Sequence, residues 1–351
     1  MEKFKKRVTL MDLALELGLS DRAVSQALNP RESNVKLNPK TVERVQKLAA
    51  LRNYRRDSRA RSMRYGRFYS IGYFEAKRRP HDWPLFGAEA GVYDEASAHG
   101  YQITLIRLPA ENEGDSIPSV FQEAHLDAMI ISHAVNIPEA LEKHIAASGF
   151  PIIHLNEKNP HNAVYIDDVG GAEAMTSYLI SLGNRKIAYL THATPNSHSH
   201  YSNTDRRNGY IKAMRKAGLE PEIIEGSQSQ PDAFFEWIDS HKDVEAIVCY
   251  NDLAALNLFR LTYRLPLKTP EHLAVTGFGD DIGRHCPIAL TTMRNPYYEM
   301  GRAAVKMALK LVEESLKTVP SQVFSPELAI RNSTRNRLEP PADAQTKPSG
   351  W

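Results

Sequence analysis

From Ser70 onward, short apolar runs alternate with helix-length segments. That alternation constrains the fold more than any other feature of the 351 residues. The runs 70–74, 102–108, 128–132, 152–155, 186–191, 246–250 and 273–277 are strand-like: short, apolar and rich in β-branched residues. Between them, segments 87–99, 138–148, 170–182 and 207–217 fit helices. Each is closed by a glycine, Gly100, Gly149, Gly183 and Gly218, where a left-handed residue ends a helix. Strand and helix in strict alternation predict parallel sheets covered by helices on both faces. The length fits two such sheets, with a ligand cleft between them.

The first 67 residues follow another pattern. Segment 8–29, VTLMDLALELGLSDRAVSQALN, fits two short helices joined by a tight turn. Thr9 and Asp12 form a capping-box pattern, and Leu10, Leu13, Ala14 and Leu17 make one apolar stripe. Gly18 ends the first helix and Ser20 caps the second. That second helix turns Val24, Ala27 and Leu28 inward and Arg22, Ser25, Gln26 and Asn29 outward. It is too short to stand alone. A recognition helix laid in a DNA major groove fits the pattern, and so does a plain helical hairpin with a solvated face. A third helix follows, capped by Asn38 with Pro39 at its first position and Val42, Val45 and Ala49 along one side.

Charge separates the two parts. The net charge is +2 overall. Residues 1–67 hold 17 Lys/Arg against 7 Asp/Glu, and the rest hold 27 against 35. A basic head on an acidic body is the footprint of a nucleic-acid module joined to something else. The arginine-rich linker YRRDSRARSMRYGR fits a segment that becomes helical on DNA, with Met63 as a minor-groove wedge, or a solvated linker. No h-region follows the basic N-terminus and no run of 18 apolar residues exists, so a cytoplasmic protein without membrane contact is expected. Cys249 and Cys286 are expected as buried thiols. No cofactor motif, metal-ligand spacing or nucleophile motif is present, so neither cofactor nor enzyme activity is expected. His192, His198 and His200 lie in a serine-rich stretch that fits a polar, mobile loop at the cleft mouth better than a metal site.

Head, linker and body together resemble the LacI/GalR-type (lac repressor) family of bacterial transcriptional regulators. The motifs that carry the likeness are the 8–29 segment, ARSMR in the linker, and VYIDDVGGAEAMTSYLISLGNRKIAYL, RRNGYIKAMRKAGLEP, CYNDLAALNLF, LAVTGFGDD, LTTMRNPYYEMGRAAVKMAL and PELAIRNST in the body. The resemblance implies a small all-α helix-turn-helix head and an α/β periplasmic-binding-protein-like body of two doubly wound parallel-sheet subdomains. It places the head at 1–57, a hinge at 58–67 and the body at 68–337. The subdomains would be 68–163 with 294–323, and 164–293 with 324–337. Residues 338–351 are expected to be a disordered tail. The implied partners are double-stranded operator DNA, a small-molecule effector such as a sugar or related polar metabolite, and a second copy in a homodimer or tetramer.

Carried over by position, Thr9, Ser20, Asp21, Arg22, Ser25, Gln26, Asn29, Arg59 and Met63 would meet DNA. Trp83, Phe86, Asp167, Arg206, Asn251, Asp252 and Asp280 would meet the effector. The family's usual Gly-Phe-Asp-Asp run is here Gly277-Phe278-Gly279-Asp280, so a carboxylate that contacts effector in many members is missing. The expected function is a ligand-responsive repressor of carbohydrate-utilisation genes. The alternative is a periplasmic-type sugar-binding transport protein, against which the basic head argues.

Overall fold

The computed structural model describes residues 8–28, 37–54, 66–76, 87–108, 125–133, 143–144, 147–191, 200–225, 236–238, 240–262 and 268–338. The chain forms two compact units, Met1–Phe68 and Tyr69–Trp351.

The first unit holds α1 (Leu10–Leu17), α2 (Asp21–Leu28) and α3 (Pro39–Leu51). Both halves of the capping box form at the start of α1: the Asp12 amide donates to Thr9 Oγ1 at 3.2 Å, and the Thr9 amide donates to Asp12 Oδ2 at 2.8 Å. Gly18 ends α1 with a φ of 64°. Asn38 caps α3 by accepting the Lys40 amide at 3.0 Å, with Pro39 following. Leu13, Ala14, Val24, Ala27, Val45 and Ala49 are buried as one small core. Each large aliphatic side chain there contributes about 1.5–3 kcal/mol, which is enough for a marginal domain of this size.

The second unit holds two six-stranded sheets. The first comprises β1 (Ser70–Ala76), β2 (Gln102–Leu108), β3 (Ala128–Ser132), β4 (Ile152–Leu155), β5 (Ala163–Ile166) and β11 (Gln322–Phe324), in the order β11-β5-β4-β3-β1-β2. The second comprises β6 (Ile187–Leu190), β7 (Glu222–Ile224), β8 (Ala246–Cys249), β9 (Ala274–Gly279), β10 (Thr291–Arg294) and β12 (Glu327–Ala329), in the order β12-β10-β9-β8-β6-β7. Described pairings are parallel except β10 with β12. The helices are α4 (Ala88–Ala98), α5 (Asp168–Ser181), α6 (Ser202–Lys216), α7 (Asp252–Thr262) and α8 (Tyr297–Glu313). The chain passes between the lobes after β5, after β10 and between β11 and β12. Cys249 and Cys286 are free and buried. Among the described residues, no helix is long and apolar enough to cross a membrane.

Three expectations change. β5 lies in the first sheet, so Val164–Ile166 belong with the first lobe and not beyond a break at 163. Helices α5 and α6 begin earlier than 170 and 207, because Asp167 and the turn at Tyr201 start them. Strands β5, β7, β10, β11 and β12, of three or four residues each, lie outside the strand-like runs of the sequence. Most of segment 138–148 and all of the tail beyond Leu338 lie outside the described residues.

Helices α4 and α8 pack backbone to backbone. A methyl group on Gly91 would strike the Tyr298 carbonyl, and one on Gly301 would strike the Ala88 carbonyl. Only hydrogen fits at either crossing point. Gly301→Ala is therefore expected to cost about 1–3 kcal/mol through overpacking, read as a lower urea midpoint with unchanged slope. An unchanged midpoint would show that the helices do not approach this closely.

Candidate functional site

In the head, α2 presents a mixed surface. Arg22 and Asp21 are exposed, while Ser25 and Gln26 are half-buried. Val24 and Ala27 are buried on the opposite side, so the inward and outward faces separate as the residue spacing predicts. The Ser20 hydroxyl accepts the Ala23 amide at 3.3 Å, and the Thr9 hydroxyl donates to Asp12 Oδ2 at 2.7 Å. Both hydroxyls are thus engaged in helix caps. Arg52 holds Glu16 through two bonds of 2.9 and 3.1 Å, which fastens the end of α3 to α1. Asn29, Arg59, Met63, Trp83 and Phe86 lie outside the described residues.

In the body, polar groups collect where strands end and helices begin, the place where open parallel sheets hold ligands. Arg206, in the first turns of α6, is 7% exposed. Its Nε donates to Asp168 Oδ1 at 2.6 Å and its Nη1 to the Tyr250 carbonyl at 2.8 Å. The guanidinium carbon lies 3.8 Å from the Phe278 ring centre and 4.7 Å from that of Tyr250. Burial works against the charge, but Asp168 and the neighbouring phenols of Tyr250 and Tyr297 outweigh it and keep the guanidinium protonated. Asp168 Oδ2 is buried and accepts no hydrogen bond among the described residues.

Asp167 was the expected contact, yet its carboxylate accepts the Gly170 amide at 2.9 Å and caps α5. The next residue, Asp168, is the one that meets Arg206. Asn251 similarly accepts the Ala254 amide at 2.8 Å at the start of α7. Asp252 is buried, accepting the Thr292 hydroxyl at 2.6 Å and the Ile282 amide at 3.4 Å. It ties α7 to β10 and to the loop after β9. The Asp280 carboxylate is held by Arg331 at 2.7 Å and Arg294 at 2.8 Å. These side chains line the same region, but their described polar bonds are structural.

The departure at Gly279 has a physical reason. Its φ is +126°, which a side chain rarely tolerates, and Asp281 Oδ2 lies 2.8 Å from where a Cβ would stand. The Asp281 carboxylate occupies the space of the missing side chain. Burial pushes its pKa up to about 7, Asp252 and Asp280 add to the rise, and Arg206 opposes it. Sequence reasoning passed over Asp281 because it is placed by a turn in which both Gly279 and Asp280 have positive φ.

His200 is half-buried and bonded to the Asn156 carbonyl and to Ser202. His192 and His198 lie outside the described residues.

A helix-turn-helix head on a two-lobed body with a buried arginine at the lobe junction defines a ligand-responsive DNA-binding regulator. The periplasmic binding protein-like domain family matches residues 176–334. The HTH-type transcriptional repressor CytR of Escherichia coli (strain K12) is 26% identical over 348 residues, covering 95% of this chain and 98% of that protein. The lac repressor dimer bound to operator and the anti-inducer ONPF superimposes with a TM-score of 0.72 at 21% identity, covering 94% of this chain and 100% of the other. The transcriptional regulator CelR–cellobiose complex superimposes with a TM-score of 0.66 at 22% identity, covering 93% and 100%. Along nearly its whole length the chain is similar to HTH-type transcriptional regulators and to the lac repressor.

Because the Asp281 pKa is raised in the folded body, its contribution to stability is fully present below its ordinary value of 3.8 and is lost as pH rises through about 7. Asp281→Asn should remove that loss. Its Tm should exceed that of the unsubstituted protein above pH 7, with the gap closing on acidification. Parallel pH profiles would mean that the carboxylate is not buried as described.

Proposed function

We propose that this protein is a cytoplasmic repressor of carbohydrate-utilisation genes and not an enzyme. In this reading a homodimer binds a pseudo-palindromic operator, and a neutral, hydroxyl-rich small molecule controls it. On the head, Arg22 and Gln26 read bases while Thr9, Ser20, Asp21, Ser25 and Asn29 position α2. Arg59 and Met63 act at the minor groove between half-sites. Support for the DNA role comes from the exposure of Arg22 on a short helix with a buried opposite face, together with the basic charge of residues 1–67.

The observation that carries the effector reading is the buried Arg206–Asp168 pair. Asp168 Oδ2 is an acceptor that a ligand hydroxyl can satisfy, and the Phe278 ring flanks the guanidinium. Asp281 supplies a further carboxyl in the space above Gly279. Carboxylates, a fork of arginine donors and an aromatic face suit a polyhydroxylated ring. Trp83 and Phe86 would add a further apolar face, and Asp167, Asn251, Asp252 and Asp280 hold the frame around it. The cellobiose in the CelR complex agrees with a saccharide effector.

Two experiments test this. In mobility-shift assays on the DNA upstream of its own gene, Arg22→Ala or Gln26→Ala should relax preference at one half-site position each, by about 1–3 kcal/mol. Equal weakening on every operator variant would place both side chains on phosphates. In calorimetry with a saccharide panel that includes cellobiose and ribose, Arg206→Ala should lose effector binding yet keep operator binding. Arg206→Lys, which keeps the charge but not the fork, should weaken binding and guards against loss of fold. Undiminished affinity in both variants would put the effector site elsewhere.

A further inference from the structure

The ladder between β4 and β5 ends one rung early, and the second lobe fills the place. The Asn156 amide donates to the Val164 carbonyl at 2.7 Å, as strands running in parallel require. The following rung would run from the Ile166 amide to the Asn156 carbonyl. Among the described residues that bond is not made. Asn156 takes a φ of 66°, a left-handed conformation that asparagine tolerates, and its carbonyl turns aside. The Asn156 side-chain amide donates to the His133 carbonyl at 3.2 Å, so the turn is held from within the first lobe.

The two backbone groups released in this way belong to buried residues, Asn156 at 7% and Ile166 at 1% exposure, and each needs a partner. Both find one in consecutive residues of the second lobe. His200 Nε2 lies 2.7 Å from the Asn156 carbonyl oxygen. A carbonyl only accepts, so the Nε2–H donates. The Ile166 amide donates to the Tyr201 hydroxyl at 3.4 Å. Two further contacts come from the same stretch. Asp205, in the first turn of α6, takes Lys158 Nζ at 2.7 Å. The Tyr201 ring meets Tyr165 of β5 edge-on, with ring centres 6.4 Å apart. Behind them, His200 Nδ1 accepts the Ser202 amide at 3.3 Å, and Ser202 Oγ lies 2.8 Å from the Tyr250 phenol. His200, Tyr201 and Asp205 therefore meet the first lobe, while the next residue, Arg206, meets Asp168 of its own lobe.

We propose that residues 200–205 form a clasp: they take up the two backbone groups left by the broken rung, hold the lobes in the arrangement described, and tie that arrangement to the helix that carries Arg206. What the tie means for an effector rests on the effector reading above. The clasp itself rests on the bond geometry. When the lobes part, the Asn156 turn stays as it is, because His133 holds it from the same lobe. The rung does not re-form, and the Ile166 amide is left to water.

The test follows hydrogen–deuterium exchange in the full chain without ligand, resolved to single amides by fragmentation in the mass spectrometer. An amide exchanges while its bond is open, so its rate reads the opening equilibrium. His200→Phe keeps a ring but loses the donor, and should speed exchange at Ile166 about fivefold, the worth of one ordinary hydrogen bond. Lys158→Ala in the same chain should add a factor of at most about five. His200→Gln can donate its amide to the Asn156 carbonyl and should stay close to the unsubstituted rate. The Ile130 amide, in the buried centre of the first sheet, should keep its rate in every variant and guards against a general loss of fold. Unchanged exchange at Ile166 in the His200→Phe, Lys158→Ala chain overturns the proposal. So does equal acceleration at Ile130, or a His200→Gln rate as fast as that of His200→Phe. The effector reading is judged separately, on the calorimetry of Arg206→Ala, so either can fail alone.

Discussion

A guanidinium withdrawn from water has to be answered by an acid and by acceptors, and the body is arranged to do this for Arg206. Asp168 supplies the charge, the Tyr250 carbonyl takes a second donor, and Phe278 and Tyr250 offer ring faces. These partners come from the start of α5, the end of β8 and the end of β9, while Arg206 itself comes from α6. Four elements of the second lobe are therefore fixed to one another by a single side chain. Removing one partner of such a pair leaves a buried charge and typically costs about 3–5 kcal/mol, whereas the pair itself adds little net stability. The arrangement is better explained by what it keeps in position than by what it contributes to folding.

What it keeps in position is a junction. α5 begins immediately after the first passage between lobes, and Asp167 and Asp168 divide its work. The first caps the helix and the second faces the arginine. The other two passages follow β10 and separate β11 from β12. Close to β10, Asp280 is clamped between Arg294 and Arg331, and Asp252 receives Thr292. Carboxylates thus stiffen the second lobe at its edge with the first. Relative motion is left to the short connections, and ligand contacts that differ between arrangements can bias it.

Much of this was legible in the sequence. The alternation after Ser70 marks a two-sheet body because seven strands fall within apolar runs separated by helix-length segments. The capping box at Thr9 and Asp12, and the stripe through Leu13 and Ala14, appear in the structure as the residue spacing requires. Arg206 was identified by its place in the motif. The roles of its neighbours were not, because adjacent carboxylates such as Asp167 and Asp168 look alike until backbone geometry assigns one to a helix end. Asp281 and His200 were hidden for related reasons. Asp281 depends on positive φ at the two residues before it, and His200 on contacts with Asn156, 44 residues away in sequence.

Ties across the lobes differ in kind, and the difference bears on how a cleft of this sort can respond. Lys158 and Asp205 form an ion pair with the lysine about half exposed, so salt screens it and it is worth at most about 1 kcal/mol. It can hold but it cannot discriminate strongly between arrangements. The His200–Asn156 contact is part-buried and directional, so an opening that separates the two costs each a partner. An effector that binds one state better then needs only a coupling of about 1–3 kcal/mol to change DNA affinity several-fold or more. Bonds run from His200 through Ser202 to Tyr250, whose carbonyl accepts Arg206 Nη1, so the proposed effector anchor is joined to the lobe junction through one side chain and one carbonyl.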